Sequence, residues 1–330
     1  MDIFLIFIFG CIIGSFLNVC IVRLPQEKSV VFPSSHCPHC QKPIAWYDNI
    51  PLLSWIVLLG HCRHCKGKIA FRYWLVEFLT AIVFVLFYVH YGASPLLPAY
   101  LVMVCCFMVA TFVDLAHRII PDQISIGGMW AGIILSAFIP QLHFSSQNLE
   151  LGGFIAGLLV LVCLFLNWIY PFFCKHLMMD EEPYDDKPFK ILVLVSLIFI
   201  YLVNSHRIAW PKPLDVHAYS LAASLAGFII GGGAIYAMGL IGDIIFRKES
   251  MGGGDVKLMA MIGAFLGWQT ALLSFFIAPF FGAIIGIIEK IRTKDNTIAY
   301  GPFIVLGALV SLFWGHNIID WIVRGGIYHL

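Results

Sequence analysis

The chain has 330 residues, 60% of them hydrophobic and 12% charged, with a mean hydropathy of +0.90. Soluble domains carry about a quarter charged residues, so composition excludes a water-soluble globular protein and points to a polytopic membrane protein. A net charge of +1 gives no basis for nucleic-acid binding.

Residues 3–22 form a predominantly apolar run, long enough to cross about 30 Å of hydrocarbon. Asp2 precedes the run and Arg23 follows it, the reverse of a secretory signal, so a retained helix with its N-terminus outside is expected. Further spans are expected at 73–91, 97–115, 123–140, 151–173, 190–204, 218–241, 257–271, 272–289 and 302–320, with a break at Gly267-Trp268-Gln269-Thr270 separating the eighth from the ninth. This predicts an all-α polytopic integral membrane protein of about ten transmembrane helices. With the N-terminus outside, 17 of the 20 Lys and Arg residues fall on inner loops, leaving only Arg207, Lys212 and Arg324 outside. That asymmetry is the positive-inside signature, and it places Asp114 and Asp255 on the same, cytoplasmic, side.

Residues 23–72 read as one long polar loop. They contain Cys37-Pro38-His39-Cys40 and Cys62-Arg63-His64-Cys65, with 21 residues between the pairs. Each pair can place two thiolates on one tetrahedral ion, so Cys37, Cys40, Cys62 and Cys65 are the expected ligands of a zinc site. Four protein ligands leave no open position, which makes the metal structural. Disulfides are the alternative, disfavoured in a reducing cytoplasm. His36, His39, His61 and His64 flank the knuckles, and one could stand in for a thiolate.

Two carboxylates sit at the ends of apolar runs. Asp114 lies in the last turn of 97–115, where a negative charge opposes the helix dipole. Asp255 follows Gly252, Gly253 and Gly254 and precedes a helix expected to start near Val256. Three glycines remove side chains and permit unusual backbone angles, allowing close approach of an extended substrate backbone or a sharp re-entry of the chain. An ordinary helix cap explains Asp255 equally well locally. Brought together, two carboxylates can share one proton, one acting as base towards water and the other polarising a scissile carbonyl.

These residues together resemble the type IV prepilin peptidases, the Gly-x-Gly-Asp membrane aspartic proteases. The resemblance runs from Gly14-Ser15-Phe16-Leu17-Asn18-Val19 and Arg23-Leu24-Pro25 through both cysteine pairs and Trp46-Tyr47-Asp48-Asn49-Ile50-Pro51. It continues through Arg72-Tyr73, Val76-Glu77, Asp114, Ile120-Pro121-Asp122, Met251 to Lys257 and Gly301-Pro302-Phe303. Trp74 stands where the family has Pro, and Gly253 where it often has an aromatic residue. The resemblance implies that Asp114 and Asp255 are catalytic and that the four cysteines bind zinc. It also implies cleavage of the basic leader of type IV prepilins or type II secretion pseudopilins, at the cytoplasmic face of the bacterial inner membrane. N-methylation of the new terminus with S-adenosylmethionine would follow.

The expected organisation is 1–92, with the cysteine loop between two spans, and 97–330, the membrane peptidase domain. The family implies eight spans, so a two-span insertion is expected at about 142–215. Its acidic loop, Asp180 to Asp186, reads as solvated; attraction of a basic leader is the second reading. The expected partners are prepilin or pseudopilin and membrane lipid. No nucleotide-binding fingerprint places the methyl donor. Two other functions fit paired carboxylates: a proton-coupled transporter relaying through Asp114 and Asp255, and a presenilin-like protease of broader specificity. The cysteine loop and Trp46–Pro51 argue against both.

Overall fold

The computed structural model describes residues 2–143, 149–177, 187–205, 212–247, 250–293 and 299–324. Among these residues there are helices, turns and two isolated bridges, and no strand. Helix is what a bilayer demands, because it satisfies each backbone N–H and C=O within its own segment. The acidic loop Asp180–Asp186 lies outside the described residues.

The chain divides into two compact units, Met1–Pro121 and Asp122–Leu330. In the first, α1 (Asp2–Arg23) packs on α3 (Phe71–Tyr91), and α4 (Leu96–His117) packs on both. A short helix, α2 (Leu53–Val57), interrupts the intervening loop. Gly10 and Gly14 set the approach of α1 to α3. A Cβ on Gly10 would lie 2.6 Å from the Ala81 Cα, and one on Gly14 would lie 2.7 Å from the Glu77 Cα. Small residues four apart commonly mark such close helix contacts within membranes. The core beneath them is aliphatic and aromatic, with Ile21, Val76, Phe84, Phe87, Met103 and Phe107 buried.

The second unit comprises α5 (Asp122–Phe138), α6 (Leu149–Leu177), α7 (Lys187–Asn204), α8 (Lys212–Phe246), α9 (Gly253–Thr293) and α10 (Gly301–Arg324). Helix α8 lies at its centre and packs on α5, α6, α7 and α9. Gly227 and Gly263 bring the α8 and α9 backbones into direct apposition. A Cβ on Gly231 would meet the Met259 carbonyl oxygen at 2.5 Å. Ser224 Oγ closes the seam by donating to the Ala264 carbonyl at 2.7 Å. Asn167 accepts from Tyr236 Oη at 2.8 Å, the interhelical bond expected of an amide within a span.

Seven described helices are long and apolar enough to cross a membrane. Helix α5, at 17 residues, and the apolar part of α7, Leu192–Asn204, are shorter. Helix α9 counts once among the seven although Gly267 breaks it, with φ 80° and ψ 173°. Taken as segments these are the ten expected, with the break at the start of the Gly267–Thr270 stretch rather than at 271/272. Helix α8 is longer than its expected span, at 35 residues.

Candidate functional site

The cysteine loop is built from two copies of one turn. Cys37 N–H donates to the Lys42 carbonyl at 3.0 Å, and Gln41 N–H to the Cys37 carbonyl at 2.9 Å. Cys62 N–H donates to the Gly67 carbonyl at 2.9 Å, and Lys66 N–H to the Cys62 carbonyl at 3.0 Å. Gln41 and Lys66 both take φ 58°, turning the chain back after the second cysteine of each pair. Bridges His36–Pro43 and His61–Lys68 complete each knuckle. The correspondence continues in sequence: His36-Cys37-x-His39-Cys40 through Ile44-Ala45 repeats as His61-Cys62-x-His64-Cys65 through Ile69-Ala70.

The two turns bring the four thiols together, with all Sγ atoms within 4.8 Å of one another. A tetrahedral ion with sulfurs at about 2.3 Å has S···S edges of about 3.8 Å. Cys37 and Cys65 Sγ are already 3.8 Å apart, and no pair of the four exceeds 4.8 Å, so the donor set suits zinc with at most a small contraction. The backbone N–H groups of Cys65 and His64 lower the Cys62 thiol to about 6. At Cys65 the Gly67 N–H is outweighed by burial and the neighbouring thiols, which push it up to about 11, so without a metal the set favours a thiolate at Cys62 alone of these two. The histidines do not enter the set. His36 Nδ1 faces the Ser34 carbonyl at 3.0 Å, His61 Nδ1 the Leu59 carbonyl at 2.6 Å and His39 Nε2 the Lys68 carbonyl at 3.3 Å.

The segment between the knuckles is tied down at both ends. Asp48 receives a forked pair from Arg63, Nε to Oδ2 at 2.8 Å and a terminal nitrogen to Oδ1 at 2.6 Å, and Arg63 also lies over the Tyr47 ring. That guanidinium holds the Asp48 carboxyl below the usual range. Asn18 and Glu77, whose chemistry the sequence left open, have structural partners. Asn18 Nδ2 donates to the Tyr73 carbonyl at 2.9 Å, and Glu77 Oε2 accepts the Leu52 N–H at 2.7 Å.

Asp114 belongs to the first unit and Asp255 to the second. Asp114 is 5% exposed and occupies the last turn of α4, whose end is closed by Arg118 at φ 57° donating to the Asp114 carbonyl at 2.8 Å. Asp255 is half-buried in the first turn of α9. The helix starts at Gly253 rather than near Val256, so Gly253 and Gly254 are helical, and none of the three glycines takes a positive φ. Their service is space: a Cβ on Gly253 would meet nothing within 4 Å, and one on Gly252 would lie 3.6 Å from Asp255 Oδ2.

The approach to Asp255 is braced in ways the sequence did not reveal. Asp243 Oδ1, near the end of α8, accepts from the Ser250 N–H at 2.7 Å and from Ser250 Oγ at 2.8 Å; the same hydroxyl lies 3.0 Å from the Gly239 carbonyl. Asp122, the first residue of α5, accepts from Lys257 Nζ at 2.7 Å. Tyr300, just before α10, lies within the electrostatic reach of Asp255. Burial, with that carboxylate adding to it, pushes its phenol up to about 12. Tyr300 adjoins the Gly301-Pro302-Phe303 turn, which was the available sequence signal.

Residues 8–91 match the family model of the bacterial peptidase A24 N-terminal domain, and residues 101–175 and 186–287 match that of the type IV leader peptidase family. A prepilin leader peptidase/N-methyltransferase of Myxococcus xanthus is 30% identical over 87% of this chain; the match spans 63% of that protein's length. One of the same name from Aeromonas hydrophila is 26% identical over 96% of this chain and 92% of its own length. The type 4 prepilin-like proteins leader peptide-processing enzyme of Escherichia coli O78:H11 is 29% identical over 92% of this chain and 91% of its own. No solved structure matches.

Proposed function

This chain belongs to the type IV leader peptidase family, and from that premise we propose that it removes the basic leader of type IV prepilins or type II secretion pseudopilins and then N-methylates the new terminus. Asp114 and Asp255 are the catalytic pair. The observation that carries the reading is the setting of Asp255: a carboxylate in the first turn of a membrane helix, flanked by glycines that leave room for a substrate backbone. The positive end of the α9 dipole favours charge on Asp255, and the negative end of α4 favours a neutral Asp114. Asp255 therefore takes a proton from water as the water oxygen bonds to the scissile carbonyl carbon. Asp114 gives its proton to the carbonyl oxygen. As the diol collapses, Asp255 returns its proton to the nitrogen, Asp114 takes one from a diol hydroxyl, and the C–N bond breaks to give a carboxylic acid and a free amine, with both aspartates restored.

The four cysteines hold a structural zinc ion that orders residues 23–72. When bound, S-adenosylmethionine would supply the methyl group to the freed amine, leaving as S-adenosylhomocysteine while the amine loses a proton. The enzyme lies in the bacterial inner membrane, in contact with lipid, with the cysteine loop and both aspartates facing the cytoplasm. Residues 1–92 and 97–330 are its functional divisions. The family match does not favour a transporter or a broad intramembrane protease. Incubation of purified protein with a prepilin, read by mass spectrometry, tests the reading. Leader loss plus a one-methyl increment dependent on S-adenosylmethionine is expected; an intact prepilin would overturn it.

A further inference from the structure

The loop between α1 and α3 contains eight nearly continuous apolar residues, Leu52-Leu53-Ser54-Trp55-Ile56-Val57-Leu58-Leu59. Eight residues are too few to span a bilayer, and a short apolar run in a soluble loop would ordinarily be folded inward. Here much of it faces out. Leu53 is 60% exposed, Ile56 51%, Val57 73% and Leu59 78%. Leu53, Ile56 and Val57 fall at i, i+3 and i+4, one face of α2. The other face is anchored: Trp55 Nε1 donates to the Ile69 carbonyl at 3.3 Å, and its ring lies 5.5 Å from that of Phe71.

The height of this segment follows from the helices beside it. Leu52 N–H is bonded to Glu77. Glu77 lies six residues into α3, about 9 Å along the axis at 1.5 Å per residue. Gly14 of α1 is directly opposite, its missing Cβ facing the Glu77 Cα. Gly14 in turn lies eight residues, about 12 Å, inside the apolar end of α1 at Val22. Both neighbours thus put the Glu77 carboxylate well within the hydrocarbon-spanning part of the bundle.

Irregular backbone survives at such depth only if its polar groups are satisfied, and most N–H groups of this segment have a partner. Ile50 N–H bonds to Ser54 Oγ, Pro51 has no N–H, and Leu52 N–H bonds to Glu77. Leu53 N–H bonds to the Pro51 carbonyl, Ser54 to Ile50, Ile56 to Leu52, Leu58 to Ser54 and Gly60 to Trp55. The rest of the loop suits a headgroup layer: residues 23–72 hold seven Lys and Arg against two acids, a charge that favours anionic lipid.

We propose that Leu52–Leu59 is a re-entrant segment that dips α2 into the bilayer beside α3, its exposed face covered by lipid acyl chains and its entry held by the Glu77 carboxylate. The segment seats the cysteine knuckles on the membrane surface. This inference rests on α1 and α3 spanning the membrane and not on the catalytic assignment, so an inactive protein would leave it standing.

The test uses the full chain in vesicles of phosphatidylcholine and phosphatidylglycerol, with an environment-sensitive fluorescent amino acid at Val57 and, as a control, at His64. Lipids brominated on the acyl chain should quench the probe at 57 several-fold more than at 64, and aqueous iodide should do the reverse. Equal iodide quenching at the two positions would overturn the proposal. So would protection at 57 that arises only on adding a prepilin, since the face would then be a peptide site. Glu77→Ala should shift the probe at 57 towards iodide, while Glu77→Gln, which keeps an acceptor, should not. If Glu77→Ala does not fold, the depth of the probe in the wild-type background still decides.

Discussion

Removing the metal should dissolve the cysteine knuckles and leave the membrane helices in place. Between Arg23 and Arg72 the buried residues are Cys37, Gly60 and Cys62, so the knuckles have no apolar core. What remains without zinc is a set of turn hydrogen bonds, each worth about 1 kcal/mol net, and a half-exposed Arg63–Asp48 pair worth about 1 kcal/mol. Those few bonds oppose the conformational entropy lost on ordering the loop, so the closed form depends on the metal. A structural four-ligand zinc site contributes roughly 10–16 kcal/mol, and 1.4 kcal/mol is tenfold in an equilibrium. Losing that contribution therefore moves the knuckles from almost always closed to mostly open. The perturbation is Cys62→Ser, or chelation of the wild type. The assay is tryptic cleavage at Arg63, Lys66 and Lys68, with zinc measured by elemental analysis. Cleavage there should accelerate on the order of 10²-fold or more, with no new cuts within α3 or α4. Zinc-free protein that is cut no faster than the metal-loaded form would refute the reasoning.

Three further outcomes follow from the second unit. Gly227→Val places a side chain into the Gly263 backbone, and overpacking of that kind costs about 1–3 kcal/mol; the melting temperature in detergent should fall, and an unchanged value would deny the α8–α9 contact. Ser250→Ala removes a hydroxyl bridging Asp243 and Gly239. At about 1 kcal/mol per bond, prepilin cleavage should drop about tenfold with zinc content intact; wild-type turnover would show that the brace does not position Asp255. Tyr300, with its phenol raised to about 12, stays protonated at neutral pH. Because the raised value belongs to the folded state, its stabilisation is complete below the ordinary tyrosine range and lost as pH rises towards 12. Tyr300→Phe should flatten that alkaline loss of stability, and an unaltered profile would contradict the burial of the phenol beside Asp255.

Hydropathy was sufficient to find the membrane segments because a bilayer imposes length and apolarity on each span independently of its neighbours. The Gly267 break was legible for a similar reason: 257–289 is too long for one crossing. The cysteines were legible because a metal site writes its spacing locally. The second turn's repetition of the first is equally open to view, carried by the flanking histidines and by the Ile-Ala pair that closes each turn. The run 52–59 was absorbed into a polar loop because it is too short for a span, and only its hydrogen bond to Glu77 reveals its depth. The glycines before Asp255 offer either space or unusual backbone angles; the structure uses the space, and two of the three are helical. Ser250 with Asp243, Lys257 with Asp122, and Tyr300 near Asp255 are tertiary pairings with no periodicity to announce them.

The most direct test of the account is prepilin cleavage by Asp114→Asn and by Asp255→Asn, each purified with full zinc content and an unchanged melting profile. Each substitution removes a proton donor or acceptor but keeps the side-chain shape, and loss of such a group typically costs 10²- to 10⁴-fold, on the order of all measurable leader removal. Near-wild-type cleavage by either folded variant would contradict the two-aspartate mechanism.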